Sequence, residues 1–443
     1  MQKKIIKTKN RYIKTKIPAP GTASIMRNLN KFESRSMHGQ LPIAWSKAKN
    51  FNIYDIKGNK FIDFTSTIFV ANIGHANPKL ITNLKKTLNN NFVHSYAYIH
   101  KIRETYIKKL VKFAGKNFEK AFLMSSGTEA TEAALKLMRL YGQKRKKRRL
   151  GIICFEGNWH GRTMGAQLMS DNFSQKKWIG FKDKDIHHLS FPYPWKVNEK
   201  NAESYLELSI KKLKKHLSLS KDICGVMIET FQGWGAIHYP KNYIKKLEKI
   251  CRLNNILISF DEIQTGFGRT GYNFGFKHYG VEPDLICCAK GMGGGIPISG
   301  VIGKKSIMDL PEIGSMSSTN SANPLSCSAG IAVIEEIKKK NLIYQSKKKG
   351  EIIRKYLQLI KDKNKIDFEI YGSGLYFAIV FDPLAKGILK KLKMLALNCM
   401  KDGLLVVYTG RESVKIGPPL TITKDALKEG LGVLKKNIEK IFL

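Results

Sequence analysis

The chain has 443 residues, more than one hydrophobic core usually holds, with the 43% hydrophobic and 25% charged residues of an ordinary globular protein. No apolar run approaches the ~20 residues that cross a bilayer, and the basic start MQKKIIKTKNRYIKTK lacks the apolar stretch of a secretion signal, so neither a membrane-embedded nor a secreted chain is expected. The formal charge of +42 would attract polyanions, but the basic residues are spread as KK and KKK groups without a nucleic-acid-binding motif, so no nucleic-acid partner is expected.

In chain order, residues 1–75 contain FNIYD-IKGNK-FIDF, two short strands across a Gly-Asn turn, which predicts a hairpin. AFLMSS (121–126), GIICF (151–155), GVMIET (225–230), ILISFDE (256–262) and LICCAK (285–290) read as buried strands. Amphipathic helical patterns at 129–142 and 240–255 alternate with them. The run KRKKRR at 144–149 falls between a helix and a strand and reads as a solvated loop. Near-continuous apolar strands alternating with helices predict an α/β fold, a mainly parallel central sheet with helices on both faces. From about 330 the pattern changes to long helices with a few strands, including 374–381 and 404–408. Expected is a large domain over 76–330, with a smaller α+β part built from 1–75 and 331–443. Cys154, Cys224, Cys251, Cys287, Cys288, Cys327 and Cys399 are scattered without CxxC spacing, as expected of reduced thiols in the cytoplasm; no metal site is read from them.

Three segments carry candidate chemistry at predicted strand ends, where open α/β sheets collect their ligands. Ser126-Gly127-Thr128 closes a strand and opens a helix, which makes either an ordinary N-cap or a phosphate site. Asp261 ends an apolar run, so its carboxylate needs a partner: a backbone group or arginine, or the protonated ring nitrogen of a cofactor. Lys290 follows a buried strand and precedes Gly291, Gly293, Gly294 and Gly295. It is either a strand-end lysine reaching solvent or a desolvated amine, which would be a nucleophile.

Together and in this order, with YDIKGNKFIDF and NIGHANPKL before them and KIGPPLTIT after, these segments resemble the class III (fold-type I) aminotransferases that depend on pyridoxal phosphate (PLP), of the 4-aminobutyrate and acetylornithine type. The resemblance covers nearly the whole chain and implies a role for each matched position. Lys290 matches the Schiff-base lysine, Asp261 the partner of the pyridine nitrogen, and Ser126, Gly127 and Thr128 the phosphate-binding turn. In FEGNWHGRT, Trp159 matches the aromatic that stacks on the ring, His160 follows it, and Arg162 matches an arginine that binds a substrate carboxylate. Glu229 matches the glutamate of the family's EPxQGE segment, and Gln264 the residue beside the ring's phenolic oxygen. Thr319 matches a threonine that reaches the phosphate of a neighbouring subunit, which implies a homodimer with its active sites at the interface.

Two departures bear on the substrate. Trp234 stands where many members have the glutamate of QGEG, and Lys415 where they have its arginine partner before PPL. Lysine offers a mobile point charge in place of a planar bidentate fork, so the usual glutamate/2-oxoglutarate half-reaction is put in doubt. The expected reaction is transfer of an amino group from an amino acid or an ω-amino acid such as 4-aminobutyrate to a keto acid, with alanine/pyruvate a further candidate pair. A PLP-dependent lyase, decarboxylase or aminomutase is the alternative, and a polyanion-binding protein on an inactive enzyme fold is the rival of another class.

Overall fold

A computed structural model describes residues 5–364 and 366–443, so the first four residues of the basic N-terminal stretch lie outside it. The chain folds as two compact units. Unit 1 comprises 1–78, 234–236 and 344–443; unit 2 comprises 79–233 and 237–343.

Unit 2 is built on a seven-stranded sheet. Its strands are β1 (Lys120–Met124), β2 (Gly151–Phe155), β3 (Ile186–Leu189), β4 (Ile223–Glu229), β5 (Leu257–Asp261), β6 (Leu285–Cys288) and β7 (Ser299–Gly303). The spatial order is β1-β7-β6-β5-β4-β2-β3. β6, β5, β4, β2 and β3 run parallel, whereas β7 lies antiparallel between β1 and β6. Helix α1 (Gly127–Lys144) packs Ala130, Ala134, Leu137 and Met138 on the face that carries Ile152, Cys154, Met227 and Val301. The alternate residue of β2, Phe155, points to the opposite face and meets Tyr243 of helix α2 (Lys241–Leu253) edge-on at 6.2 Å between ring centroids. Both faces are therefore covered, which accounts for strands that read as unbroken apolar runs.

The sheet brings the carboxyl ends of β4 and β5 side by side, with Glu229 and Asp261 at paired register positions. Ser126 begins just beyond β1, and Lys290 just beyond β6. The structure adds two strands that the sequence pattern did not announce. β3 reads IHHL, with two histidines interrupting the apolar signal, and β7 reads SGVIG, inside a glycine-rich stretch that looks like loop.

Unit 1 joins both ends of the chain. The expected hairpin is present as Asn52–Asp55 paired antiparallel with Lys60–Asp63, its turn fixed by Asp55 Oδ1 accepting the Lys57 and Asn59 N–H groups. Strand Leu404–Leu405 adds to Lys60–Asp63 in parallel. A second sheet pairs Glu369–Ser373, Tyr376–Val380, Ser413–Ile416 and Val407–Tyr408. No helix among the described residues is long and apolar enough to cross a membrane.

Candidate active site

The Ser126-Gly127-Thr128 turn begins helix α1, 18 residues long, which places the helix's first N–H groups and positive dipole end at this turn. Glu129 closes a capping box: its Oε2 accepts from the Ser126 N–H at 2.6 Å and from Ser126 Oγ at 2.9 Å. Thr128 Oγ1 bonds Thr163 Oγ1 at 2.6 Å, and Thr163 Oγ1 in turn donates to Glu132 at 2.6 Å, so this turn is tied to the segment that carries Trp159 and Arg162. A Cβ on Gly127 would press on Ile263 at 3.0 Å and approach Ala289 at 3.4 Å, both from segments that flank Asp261 and Lys290. The phosphate-site candidate is thus packed directly against the other two candidate segments.

Asp261 is buried, 5% exposed, with each oxygen engaged. Oδ1 accepts the Ile263 N–H at 3.0 Å, and Oδ2 lies 2.9 Å from His160 Nδ1. His160 Nε2 is buried without a protein partner. The residue after Asp261, Glu262, was not singled out from the sequence, yet it is fully buried and accepts four hydrogen bonds. Thr230 Oγ1 and the Phe276 N–H bond one oxygen; Thr265 Oγ1 and the Gly275 N–H bond the other. This carboxylate fastens the 262–276 loop to the sheet end and so fixes the backbone that aims Asp261. A second acid in SFDE, inside an apolar run, was the signal that could have revealed it.

Glu229, 4% exposed, accepts the Trp159 N–H at 3.0 Å and a further backbone bond from Gly233. Burial, reinforced by the neighbouring Asp261, pushes its carboxyl up to about 8. A Cβ at Gly233 would collide with Gln264 Nε2 and lie 2.9 Å from Glu229 Oε1, so a larger residue here would displace these two side-chain ends.

Lys290 takes a left-handed backbone conformation (φ 44) that lysine rarely adopts. Burial lowers the pKa of its amine, partly offset by Asp261 and Glu229. Local backbone strain of this kind persists where surrounding packing over-determines it.

The structure thus gathers the 126–128 turn, Trp159, His160, Glu229, Asp261, Gln264 and Lys290 within unit 2. Arg162 is exposed, its guanidinium 4.8 Å above the Trp159 ring and Nη1 3.4 Å from Gln175 Oε1. Thr319 lies on an exposed turn, its carbonyl accepting from His94 Nε2 at 3.1 Å. Trp234 and Lys415 belong to unit 1. Lys415 is buried and bonds Tyr376 Oη at 3.2 Å, with its ammonium over the Phe69 and Tyr376 rings. Arg411, which sequence reasoning did not single out, stacks on Trp234 at 3.9 Å from the ring centroid. Among the described residues, no group of three His, Cys, Asp or Glu side chains is placed to hold a metal ion.

Comparison with known proteins gives a consistent result. The family model of class-III aminotransferases matches residues 34–438. The chain is 32% identical over 409 residues to acetylornithine aminotransferase of Caldanaerobacter subterraneus subsp. tengcongensis, spanning 91% of this chain and 96% of that one. It is 34% identical over 424 residues to acetylornithine aminotransferase of Methanocaldococcus jannaschii, spanning 93% and 98%. An aminotransferase structure from Bacillus anthracis superposes with a TM-score of 0.86 at 23% identity, covering 95% of this chain and 99% of that one, a likeness of fold.

Proposed function

This chain belongs to the class-III aminotransferases, PLP-dependent enzymes of fold-type I that transfer amino groups, and we propose that Lys290 is the residue that carries the cofactor and moves the proton. The observation that carries this reading is the convergence at adjacent strand ends of a desolvated lysine and a buried, doubly bonded carboxylate.

The residues present fit PLP. The helix start at Ser126–Thr128, close-packed because Gly127 has no side chain, suits the phosphate. Asp261, with His160 behind it, suits the ring nitrogen; Trp159 suits the ring face and Gln264 the phenolic oxygen. Bound there, PLP supplies an aldehyde that captures amines and a ring that draws electrons from the amine-bearing carbon. Desolvation leaves a larger share of Lys290 as free amine near neutral pH than an exposed lysine would have. Lys290 Nζ takes the proton from the amine-bearing carbon and returns it on the other side of the transfer. The test is the purified chain with single amine donors and no keto acid. A transaminase accumulates pyridoxamine phosphate until a keto acid is added, as ping-pong kinetics require. Release of product with PLP regenerated and no keto acid consumed would overturn the reading in favour of a lyase.

The proposed donor is an amino acid or ω-amino acid of the 4-aminobutyrate kind, its carboxylate taken by Arg162, with a keto acid as acceptor. Support comes from the exposed Arg162 fork and from the absence of the glutamate–arginine pair at Trp234 and Lys415. Restoring that pair with Trp234→Glu and Lys415→Arg together is expected to raise kcat/KM for glutamate by at least about tenfold, the worth of a bidentate carboxylate contact of about 1.4 kcal/mol or more. No gain for glutamate in the double variant would remove Trp234 and Lys415 from the specificity argument.

The chain is proposed to act as a homodimer. Helix Thr22–Phe32 leaves Ile25, Met26, Leu29 and Phe32 exposed, and Tyr98 and Ile99 are 78% and 96% exposed, an amount of open apolar surface that a partner would cover. Thr319, on its exposed turn, is available to a neighbouring subunit. Light scattering is expected to give twice the chain mass at micromolar concentration; a monomer across that range would end the proposal.

A further inference from the structure

Glu229 is an acid that the transfer chemistry above does not use. It stands at the end of β4 beside Asp261 at the end of β5, in paired register and equally buried. Two carboxylates this close and this dry do not both ionise readily, because each charge loses its water and meets a like charge. The groups that face Glu229 are Asp261 from β5, Lys290 from the turn after β6, and the buried Tyr239 hydroxyl that precedes α2. Asp261 has the imidazole of His160 against it at 2.9 Å, a side chain able to support its charge, whereas Glu229 is met by the backbone N–H groups of Trp159 and Gly233. Through those two bonds Glu229 connects the proposed ring-stacking residue to the turn that packs on Gln264.

We propose that Glu229 is a positioning residue held as a neutral carboxylic acid, fastening Trp159 and the Gly233 turn beside Asp261 so that the site presents one anion to the cofactor ring. The inference rests on the ring-nitrogen role given to Asp261 above. A second negative charge at Glu229 would compete with Asp261 for the ring's N–H; a neutral acid orients the same segments without that competition. The rise of its carboxyl to about 8 agrees with this assignment. The sign of the linkage follows. The folded chain keeps a proton that the unfolded chain releases above the ordinary 4.5, so this group's contribution to stability is complete below 4.5 and is lost as pH rises through about 8.

The experiment is infrared difference spectroscopy of the purified full-length chain against Glu229→Gln, an isosteric neutral replacement. The difference isolates Glu229 from Glu262, whose carboxyl burial also pushes up. At pH 6.5 the wild type is expected to show a protonated-carboxyl carbonyl band that the variant lacks, fading as pH passes about 8. An ionised-carboxylate band at pH 6.5 in its place would overturn the proposal. Cofactor affinity supplies the second reading. Glu229→Ala is expected to weaken PLP binding at least tenfold and Glu229→Gln to recover most of that loss, since the amide oxygen still accepts an N–H. Equal loss in both variants would show that a charge is needed and also overturn it. A protonated band in a chain that fails the amine-donor test would sink the transamination reading and leave Glu229's state intact.

Discussion

Lys290→Ala is expected to lower kcat by on the order of 10⁴-fold or more, because one substitution removes both the proton carrier and the amine that holds the cofactor. The second loss has its own readout. Borohydride reduction of the wild type should fix PLP to the peptide that contains Lys290, and the variant should retain none after denaturation. Added small amines should restore part of the proton transfer, since they supply a base to the buried space beside Asp261 and Glu229 that the Lys290 amine leaves. The fold should survive, because burial of the ammonium is itself unfavourable and the substitution relieves it. Lys290 does keep a left-handed backbone, so the alanine variant inherits that strain and gains little stability from the exchange. A Lys290→Ala protein that turns over at a tenth of the wild-type rate would end the assignment.

Asp261→Asn should cost about 3–5 kcal/mol of transition-state stabilisation, roughly 10²–10⁴ in kcat/KM. The amide matches the carboxylate in size but has no charge to keep a ring nitrogen protonated. It also replaces one acceptor oxygen by a donor, so the amide N–H either opposes the Ile263 N–H or obliges His160 Nδ1 to act as acceptor. Binding should suffer less than turnover, because the phosphate turn is untouched. A ratio of kcat losses to affinity losses near one would instead point to a structural lesion, and thermal denaturation would reveal it. Retention of wild-type kcat in Asp261→Asn would remove Asp261 from the chemistry.

Much of this site was legible in the sequence because its residues terminate elements with strong periodicity. Asp261 and Lys290 each close a short run of apolar residues, the pattern of a strand buried on both faces. Ser126 was legible as a cap because the switch from strand to helix falls on it. The parts that stayed hidden depend on contacts between distant segments. His160 Nδ1 meets Asp261 across 101 positions of sequence, and no local pattern encodes that bond. Lys415 is buried in unit 1 and meets Tyr376 across 39 positions, a contact that no local pattern encodes. Arg411 escaped notice because its aromatic partner, Trp234, is remote in sequence. Strand β7 was hidden for a different reason. Its glycines read as loop, and an antiparallel strand in a mostly parallel sheet contradicts the alternation that predicted the others.

The parallel pairing of Lys60–Asp63 with Leu404–Leu405 has a consequence for how the protein is made. A ribosome adding roughly 5–20 residues per second needs on the order of 17–70 s to travel the ~340 residues between those two strands. For that interval the early hairpin waits with an unpaired edge and with Phe61 and Ile62, fully buried in the finished molecule, still seeking their partners. Unit 2 ends at Ile343, so its last residue is added before any of residues 344–443, which carry the partners of the hairpin. Nascent chains therefore pass through a stage with a finished sheet domain and an open N-terminal segment, and premature termination near residue 400 leaves that segment permanently exposed. The long delay between the two halves of unit 1 leaves the edge of the N-terminal hairpin open to pairing with other chains, a physical reason for shielding it during synthesis.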